Sequence, residues 1–272
     1  MEIEIPIENK MIWRYMDLSR FVSMISTSRL WFAKAANLRD DPYEGFSNVR
    51  SLETPLNDTS PKTTIEHGAS GDTYISLPQC LARASQESAA YCKNAPDHLY
   101  VNSWCLSGVE SMAMWEIYGS KGCGLAIKSS VDQYQRAAKF DVPPSHYAFG
   151  KVRYHDVLET APEVRRDFTK SINFGEQRLK EVLNLGFHKR SCYKYEIEWR
   201  AALYQDKRPE ISGLYEFFDL GELISEVHIG PRADEFFVDV VKSIMDKYLL
   251  QKPLICSTLL SNPRLSEVAG PR

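Results

Sequence analysis

Residues 195–203 constrain the fold more than any other part of the chain: Tyr195, Ile197, Trp199, Ala201 and Leu203 alternate there with Glu196, Glu198, Arg200 and Ala202. A period of two belongs to a β-strand, whose successive side chains point to opposite faces. The pattern predicts a half-buried strand with both glutamates and the arginine on its polar face. Such a strand needs neighbours, and residues 10–15, 30–32, 100–106, 123–128, 151–154 and 226–229 each read as strands.

Between them the period changes. Leu18, Phe21, Val22 and Ile25 recur at helical spacing behind Asp17, a residue suited to capping a helix N-terminus. Residues 77–92 and 112–118 read as helices. Val164, Phe168, Ile172, Leu179, Val182 and Leu183 predict a long helix that Gly175 interrupts or bends. The clearest stripe is Phe236, Phe237, Val240, Val241, Ile244, Met245, Tyr248 and Leu249, which the spacing assigns to the core. Strands and helices mix without a regular βαβ alternation, so the expected class is α+β rather than a doubly wound sheet. The expectation is a single domain over 1–272, with a mixed or antiparallel sheet flanked by helices. Residues 47–72, rich in Ser, Thr, Asn, Pro and Gly, read as a surface excursion.

Composition narrows the functional classes. With 43% hydrophobic and 25% charged residues the chain is globular in type. Its six cysteines are scattered, without a Cys-x-x-Cys pair, which points to reduced thiols, a cytoplasmic location and no structural zinc. No apolar run approaches the roughly 18–20 residues of a membrane helix, so no membrane partner is expected. A net charge of −3 argues against a whole-protein footprint for nucleic acid, leaving local basic clusters such as Arg165, Arg166 and Lys170, on what reads as a solvated helix face.

Four constellations are able to carry chemistry. Glu196-x-Glu198-x-Arg200 places two carboxylates and a guanidinium about 6–7 Å apart along one strand face. Two neighbouring carboxylates raise one another's pKa while an arginine opposes this, a setting for proton handling or for stabilising a cation. The alternative is an ordinary set of cross-strand salt bridges. Asn37, Asp40, Asp41 and Glu44 sit in a turn around Pro42, where they either bind a metal or a basic partner or simply cap the chain. Arg14, between Trp13 and Tyr15, suits a phosphate held beside a stacked ring, or equally a surface salt bridge. Ser103, Cys105 and Ser107 share one face of a strand that ends in a Gly turn, with Cys105 read as buried. The six histidines are isolated, without metal-ligand spacing, and no Gly-x-Ser-x-Gly, Walker or Gly-x-Gly-x-x-Gly motif is present. The segment from Trp13 to Gly45 and the element from Glu196 to Arg200 are expected to face one shared pocket.

Several blocks together resemble a bacterial domain family of unknown function found among abortive-infection and phage-defence proteins (AbiGi-like). They are Trp13-Arg14-Tyr15, Leu30-Trp31-Phe32 with Asp40-Asp41-Pro42-Tyr43-Glu44, Ser103-Trp104-Cys105-Leu106-Ser107, Met114-Trp115-Glu116-Ile117-Tyr118-Gly119, and Tyr195-Glu196-Ile197-Glu198-Trp199-Arg200. The match spans residues 11–250. More remotely, their order resembles the ADP-ribosyltransferase fold. That resemblance implies NAD as substrate, with Arg14 and Tyr15 on its phosphates or ribose and Ser103 or Ser107 on the nicotinamide side. It implies Glu198 as the catalytic acid, Glu196 as activator of the acceptor, and transfer of ADP-ribose to a macromolecule, protein or nucleic acid. Two other readings stand beside it. One is a divalent-metal nuclease using Asp40, Asp41, Glu44, Glu196 and Glu198 with Lys189 or Lys194. The other is a catalytically silent module that binds a nucleotide or a protein partner.

Overall fold

The computed structural model describes residues 10–38, 94–119, 122–156, 174–205 and 212–261. The expected helix at 77–92, the excursion at 47–72, the turn at Asp40, Asp41 and Glu44, and Arg165, Arg166 and Lys170 lie outside the described residues. Strand β1 (Met11–Asp17) runs into helix α1 (Leu18–Thr27), which starts where the Asp17 carboxylate accepts from the Arg20 amide at 2.8 Å. Strands β2 (Arg29–Lys34) and β3 (Leu99–Leu106), helix α2 (Met112–Tyr118) and strand β4 (Gly124–Ser130) follow. Helix α3 (Val131–Ala137) opens on a capping box between Ser130 and Gln133, and the short strand β5 (Ala138–Lys139) follows it.

The segment expected as one strand at 151–154 is two: β6 (Tyr147–Lys151) and β7 (Arg153–His155) are separated at Val152. Helix α4 (Phe174–Leu185) runs through Gly175 without a break, and Leu179, Val182 and Leu183 bury as the spacing predicts. Then come β8 (His188–Arg190), a 3-10 turn (Ser191–Glu196), β9 (Glu198–Tyr204), β10 (Gly213–Phe218), the short helix α5 (Leu220–Leu223), β11 (Glu226–Ile229), α6 (Glu235–Lys247) and β12 (Leu254–Cys256).

The class is α+β with a mixed sheet. Ten strands form one sheet in the order β12-β11-β4-β1-β3-β2-β10-β5, with β9 joined to β3 and β6 to β9; pairing is antiparallel except between β11 and β12. Strands β7 and β8 pair in parallel as a separate ribbon. One sheet face carries a continuous core in which Phe21 and Ile25 of α1, Tyr134 of α3 and Phe237, Val241 and Met245 of α6 pack on Ile12, Trp104, Ile127 and Trp199. The other face carries two separate clusters. Helix α4 covers Leu99, Val101 and Ala202, whereas α2 covers Trp13, Tyr15, Cys105 and Ala126. Between them no described helix covers the sheet.

Two expectations about burial are corrected. In α6, only Phe237, Val241 and Met245 are buried; Phe236 of the predicted core stripe is 76% exposed because the helix lies on the sheet along a single line of contact, and Leu249, 80% exposed, lies past the helix end in a left-handed backbone (φ 55°). In β9, every residue from Glu198 to Tyr204 is buried, whereas Tyr195 and Ile197 of the expected apolar face are about half exposed. Trp199, Ala201 and Leu203 pack in the main core, Ala202 and Tyr204 pack under α4, and Glu198 and Arg200 are buried by their own ion pair, so neither face is solvated.

Candidate functional site

The cleft originates in the branching of the sheet beside β3. Strand β1 pairs with β3 only at Ile12↔Leu106 and Trp13↔Cys105, and β2 pairs with it only at Ala33↔Val101 and Lys34↔Tyr100. Residues 102–104 have no strand partner on that side, so β1 and β2 diverge. Unpaired backbone in a sheet interior demands substitute partners, and side chains supply them: the Arg14 guanidinium donates to the Ser103 carbonyl at 2.9 Å, and the Asn102 amide donates to the Trp31 carbonyl at 2.8 Å. The Asn102 amide oxygen is in turn held by the Trp104 indole at 2.7 Å and the Tyr134 hydroxyl at 3.1 Å. The gap opens into a cleft of about 580 Å³ lined by Arg14, Trp31, Ser103, Tyr118, Lys189, Glu196, Glu198 and Arg200, among others.

Glu198 and Arg200 reach this cleft by strand geometry, since the register pairs Cys105 with Glu198 and Ser103 with Arg200. Glu196 reaches it differently. It ends the 3-10 turn, and Ile197 takes a left-handed backbone (φ 45°) before β9 begins. That conformation is costly for a β-branched residue, and it brings two carboxylates from different elements onto one amine. Lys189 Nζ donates to Glu196 at 2.7 Å and to Glu198 at 2.8 Å. Arg200 donates twice to Glu198, at 2.6 and 2.9 Å, and once to the Gly186 carbonyl at 3.0 Å. The Tyr118 hydroxyl donates to Glu196 at 3.2 Å. All four ionic side chains are more than nine-tenths buried.

Their environments separate the two carboxyls. Burial, then the hydrogen bond and charge of Glu198, raise Glu196 to about 7 against the pull of Lys189. Burial alone would raise Glu198 too, but Arg200, the hydrogen bond with Glu196 and Lys189 bring it well below the usual carboxylate range. Glu198 is therefore the carboxyl held as an anion, and Glu196 the one that keeps its proton to higher pH. Burial, followed by the two glutamates, pushes the neighbouring Cys105 thiol up to about 11, so it stays neutral.

Arg14 forms the floor. Burial lowers its pKa to about 10, and among the described residues no carboxylate lies within ion-pair distance; the Trp104 ring centroid lies 5.9 Å from its guanidinium. A buried cation without a counter-charge is an unfavourable arrangement that an anionic ligand relieves.

Of the residues singled out in the sequence, Arg14, Tyr15, Ser103, Glu196 and Glu198 meet in this one cleft, shared by the first strands and the late Glu-x-Glu element. The hydroxyl of Tyr15 is committed to the Ser111 amide at 2.8 Å, where it helps fix the start of α2. Ser107 is not among the lining residues: its hydroxyl closes a local turn with the Val109 carbonyl and amide. Glu196 does not share a strand face with Glu198 as expected; the left-handed step at Ile197 separates them, and Lys189 reunites them. Lys189 itself carries no periodic signal in a three-residue strand, and Tyr118 is visible in sequence only as part of the Met114–Gly119 block. The histidines at 155 and 188, isolated in sequence, meet through β7 and β8 with Nε2···Nδ1 at 2.8 Å. Among the described residues no cluster of three or more His, Cys, Asp or Glu side chains is arranged to hold a metal. Among the same residues no helix is long and apolar enough to cross a membrane.

Comparison with known proteins adds little. No protein-family model matches the chain, so the resemblance to the AbiGi-like family gains no support, and no curated protein matches it. Among solved structures, Thermus sp. 2.9 DarT in complex with carba-NAD+ aligns over 93% of this chain and 96% of its own, at 11% identity and a TM-score of 0.36. The same protein in complex with ADP-ribosylated ssDNA aligns over 94% and 97%, at 13% identity and a TM-score of 0.38. Similarity at this level assigns no activity to the cleft.

Proposed function

We propose that the cleft binds NAD and that the Glu196/Glu198 pair transfers its ADP-ribose to a macromolecular acceptor. The observation that carries this reading is the geometry of two adjacent carboxyls on one amine, where Arg200 grips Glu198 alone and leaves Glu196 to Lys189 and Tyr118, the unequal pair expected of an acid/base couple at a glycosidic bond. The residues present suit the ligand. The cleft falls within the roughly 300–1,000 Å³ of small-molecule sites. Arg14 offers a pyrophosphate a guanidinium with no ion-pair partner among the described residues, and Trp31 and Tyr118 offer rings to a base or a nicotinamide.

The C1′–N bond to nicotinamide breaks, and its electron pair leaves with the ring nitrogen, discharging the pyridinium. Positive charge that develops on the ribose is stabilised by the Glu198 carboxylate, which Arg200 and Lys189 hold in place. A nucleophilic oxygen or nitrogen of the acceptor forms the new bond to C1′, and its proton passes to ionised Glu196. A role in bacterial defence or a toxin–antitoxin pair rests on the resemblance of the sequence blocks.

The test is release of nicotinamide and transfer of label from NAD labelled in its adenosine, on a mixture of cell-lysate acceptors. Wild type is expected to do both, Glu198→Gln neither, and Glu196→Gln to lose transfer more than it loses NAD binding. Turnover indifferent to Glu198→Gln would sink the assignment. A second reading is favoured by the closure of Lys189, Glu196, Glu198 and Arg200 into one satisfied salt-bridge network: a silent nucleotide-binding module. NAD binding without turnover, unchanged in Glu198→Gln, is its expected result.

A further inference from the structure

Strands β7 and β8 stand apart from the main sheet and present two faces. On one, the register pairs Tyr154 with Lys189, and both serve the carboxyls: the Tyr154 hydroxyl accepts from the Glu198 amide at 2.8 Å, and Lys189 Nζ donates to Glu196 and Glu198. Alternation along a strand turns Arg153, His155 and His188 to the other face. A parallel pair of three residues is too short to be held by its own ladder. The start of β7 is tied by backbone, since the Val152 amide donates to the Glu198 carbonyl at 2.9 Å and the Arg153 amide to the Phe187 carbonyl at 2.7 Å. Beyond that point the brace is a pair of side chains.

His155 Nε2 and His188 Nδ1 lie 2.8 Å apart, a bond that crosses from one strand to the other. Asn184 of α4 donates its amide nitrogen to His188 Nε2 at 3.3 Å. A neutral imidazole has one N–H, so His188 carries its proton on Nδ1 and donates it to His155. One proton between the facing nitrogens satisfies both rings, whereas a proton on each sets donor against donor. Burial, then His155 and Arg153, oppose the charged form of His188 and lower it to about 4. Arg153 is the fixed charge that bears on His188 directly; Asp156 after β7, Arg190 of β8, Lys180 and Glu181 of α4 and Lys194 of the 3-10 turn are the charged residues on the neighbouring described elements.

We infer that His155 and His188 are positioning residues for the carboxyl pair: the bond between them holds the ribbon that delivers Lys189, and protonation of the pair releases it. The contribution of His188 is complete above pH 6.5 and is lost as pH falls toward 4, because the released ring takes a proton at its ordinary value. Lys189 opposes the proton on Glu196, so its departure leaves Glu196 protonated to higher pH while Arg200 still grips Glu198. The loss of turnover in acid rests on the proposed function; the positioning itself does not.

The experiment is amide hydrogen exchange of the full chain by NMR at pH 7, 6 and 5, with carboxyl NMR of Glu196 alongside and no NAD present. Protection of the Arg153 and Glu198 amides, taken relative to the amides of β3, is expected to fall about 20-fold in wild type from pH 7 to 5, the linkage of one histidine moved from 6.5 to about 4. His155→Ala, at a half-buried position, removes the bond; it is expected to lower that relative protection already at pH 7 and to move the Glu196 titration to higher pH. His188→Asn places an amide where Nδ1 stood, which keeps a bond to His155 but does not titrate. It is expected to keep the protection of wild type at pH 7, to lose the pH dependence, and to leave the Glu196 titration in place. A pair that is merely structural lowers global stability in His155→Ala without moving the relative protection or the Glu196 titration, and that result overturns the inference. So does relative protection flat with pH in wild type, or a pH dependence that survives in His188→Asn. Nicotinamide release, measured separately, decides the proposed function, and its absence leaves these outcomes readable.

Discussion

Replacing Glu196 with glutamine removes a titration that the fold itself creates. Glu196 has a folded pKa of about 7 against an ordinary 4.5, so the folded state holds its proton more tightly than the unfolded state does. The stability from that proton is fully present below pH 4.5 and is lost as pH rises through 7. A rise of that size corresponds to at most about 3 kcal/mol. The carboxyl borders an open cleft, and screening there leaves roughly 1–2 kcal/mol. Glutamine cannot ionise, yet its carbonyl accepts from Lys189 and Tyr118 and its amide takes the place of the carboxyl proton toward Glu198. The variant and wild type are therefore expected to be equally stable at pH 5. At pH 8.5 the variant is expected to be more stable by roughly 1–2 kcal/mol, or about 2–8 °C in Tm. His188 works in the opposite sense. Burial, then His155 and Arg153, lower it to about 4, so its contribution grows as pH rises from 4 to 6.5. It is common to both proteins and cancels in their difference. Thermal unfolding of the pair at pH 5, 6, 7 and 8.5 and constant ionic strength measures that difference. A difference flat with pH, or a variant less stable at pH 8.5, refutes the reasoning, because Lys189 would then be holding Glu196 as a carboxylate.

Arg200→Ala leaves Glu198 buried against Lys189 alone, and chemical denaturation is expected to show a loss of about 3–5 kcal/mol. Asn102→Ala strips partners from the Trp104 indole, the Tyr134 hydroxyl and the Trp31 carbonyl together; the same measurement is expected to show a loss of about 2–4 kcal/mol. Ile197→Gly suits the left-handed backbone and is expected to change stability by under about 1 kcal/mol while preserving the carboxyl titration near 7, whereas Ile197→Pro forbids that backbone and is expected to return the titration toward 4.5, read by carboxyl NMR. Arg14→Met removes a buried cation that has no ion-pair partner among the described residues but also strips the Ser103 carbonyl of its donor, so calorimetry is expected to find stability within about 1 kcal/mol of wild type together with loss of NAD binding.

Local periodicity foretold most of the framework. Asp17 caps α1 because a carboxylate preceding an amphipathic turn finds an orphan amide, a partner three residues away in sequence. Met112–Tyr118 and Glu226–Ile229 form the elements their patterns announce. Arg14 and the Glu196–Arg200 element were legible as candidates because charged residues stand out in otherwise apolar strands. The same periodicity misled wherever burial depended on a distant partner. In residues 195–203 it assigned the charged residues to a polar outer face, whereas Glu198 and Arg200 are buried and Tyr195 and Ile197 are exposed.

What the sequence by itself determined is therefore the set of amphipathic elements and the residue types they carry, since both follow from contacts a few positions apart. Only the tertiary structure decided that β1 and β2 separate beside β3, that Lys189 bridges two carboxylates, and that Glu196 and Glu198 titrate apart. The reason is that a buried charge is tolerated only where another segment supplies its partner, and the identity of that segment is a property of the sheet order rather than of any local pattern.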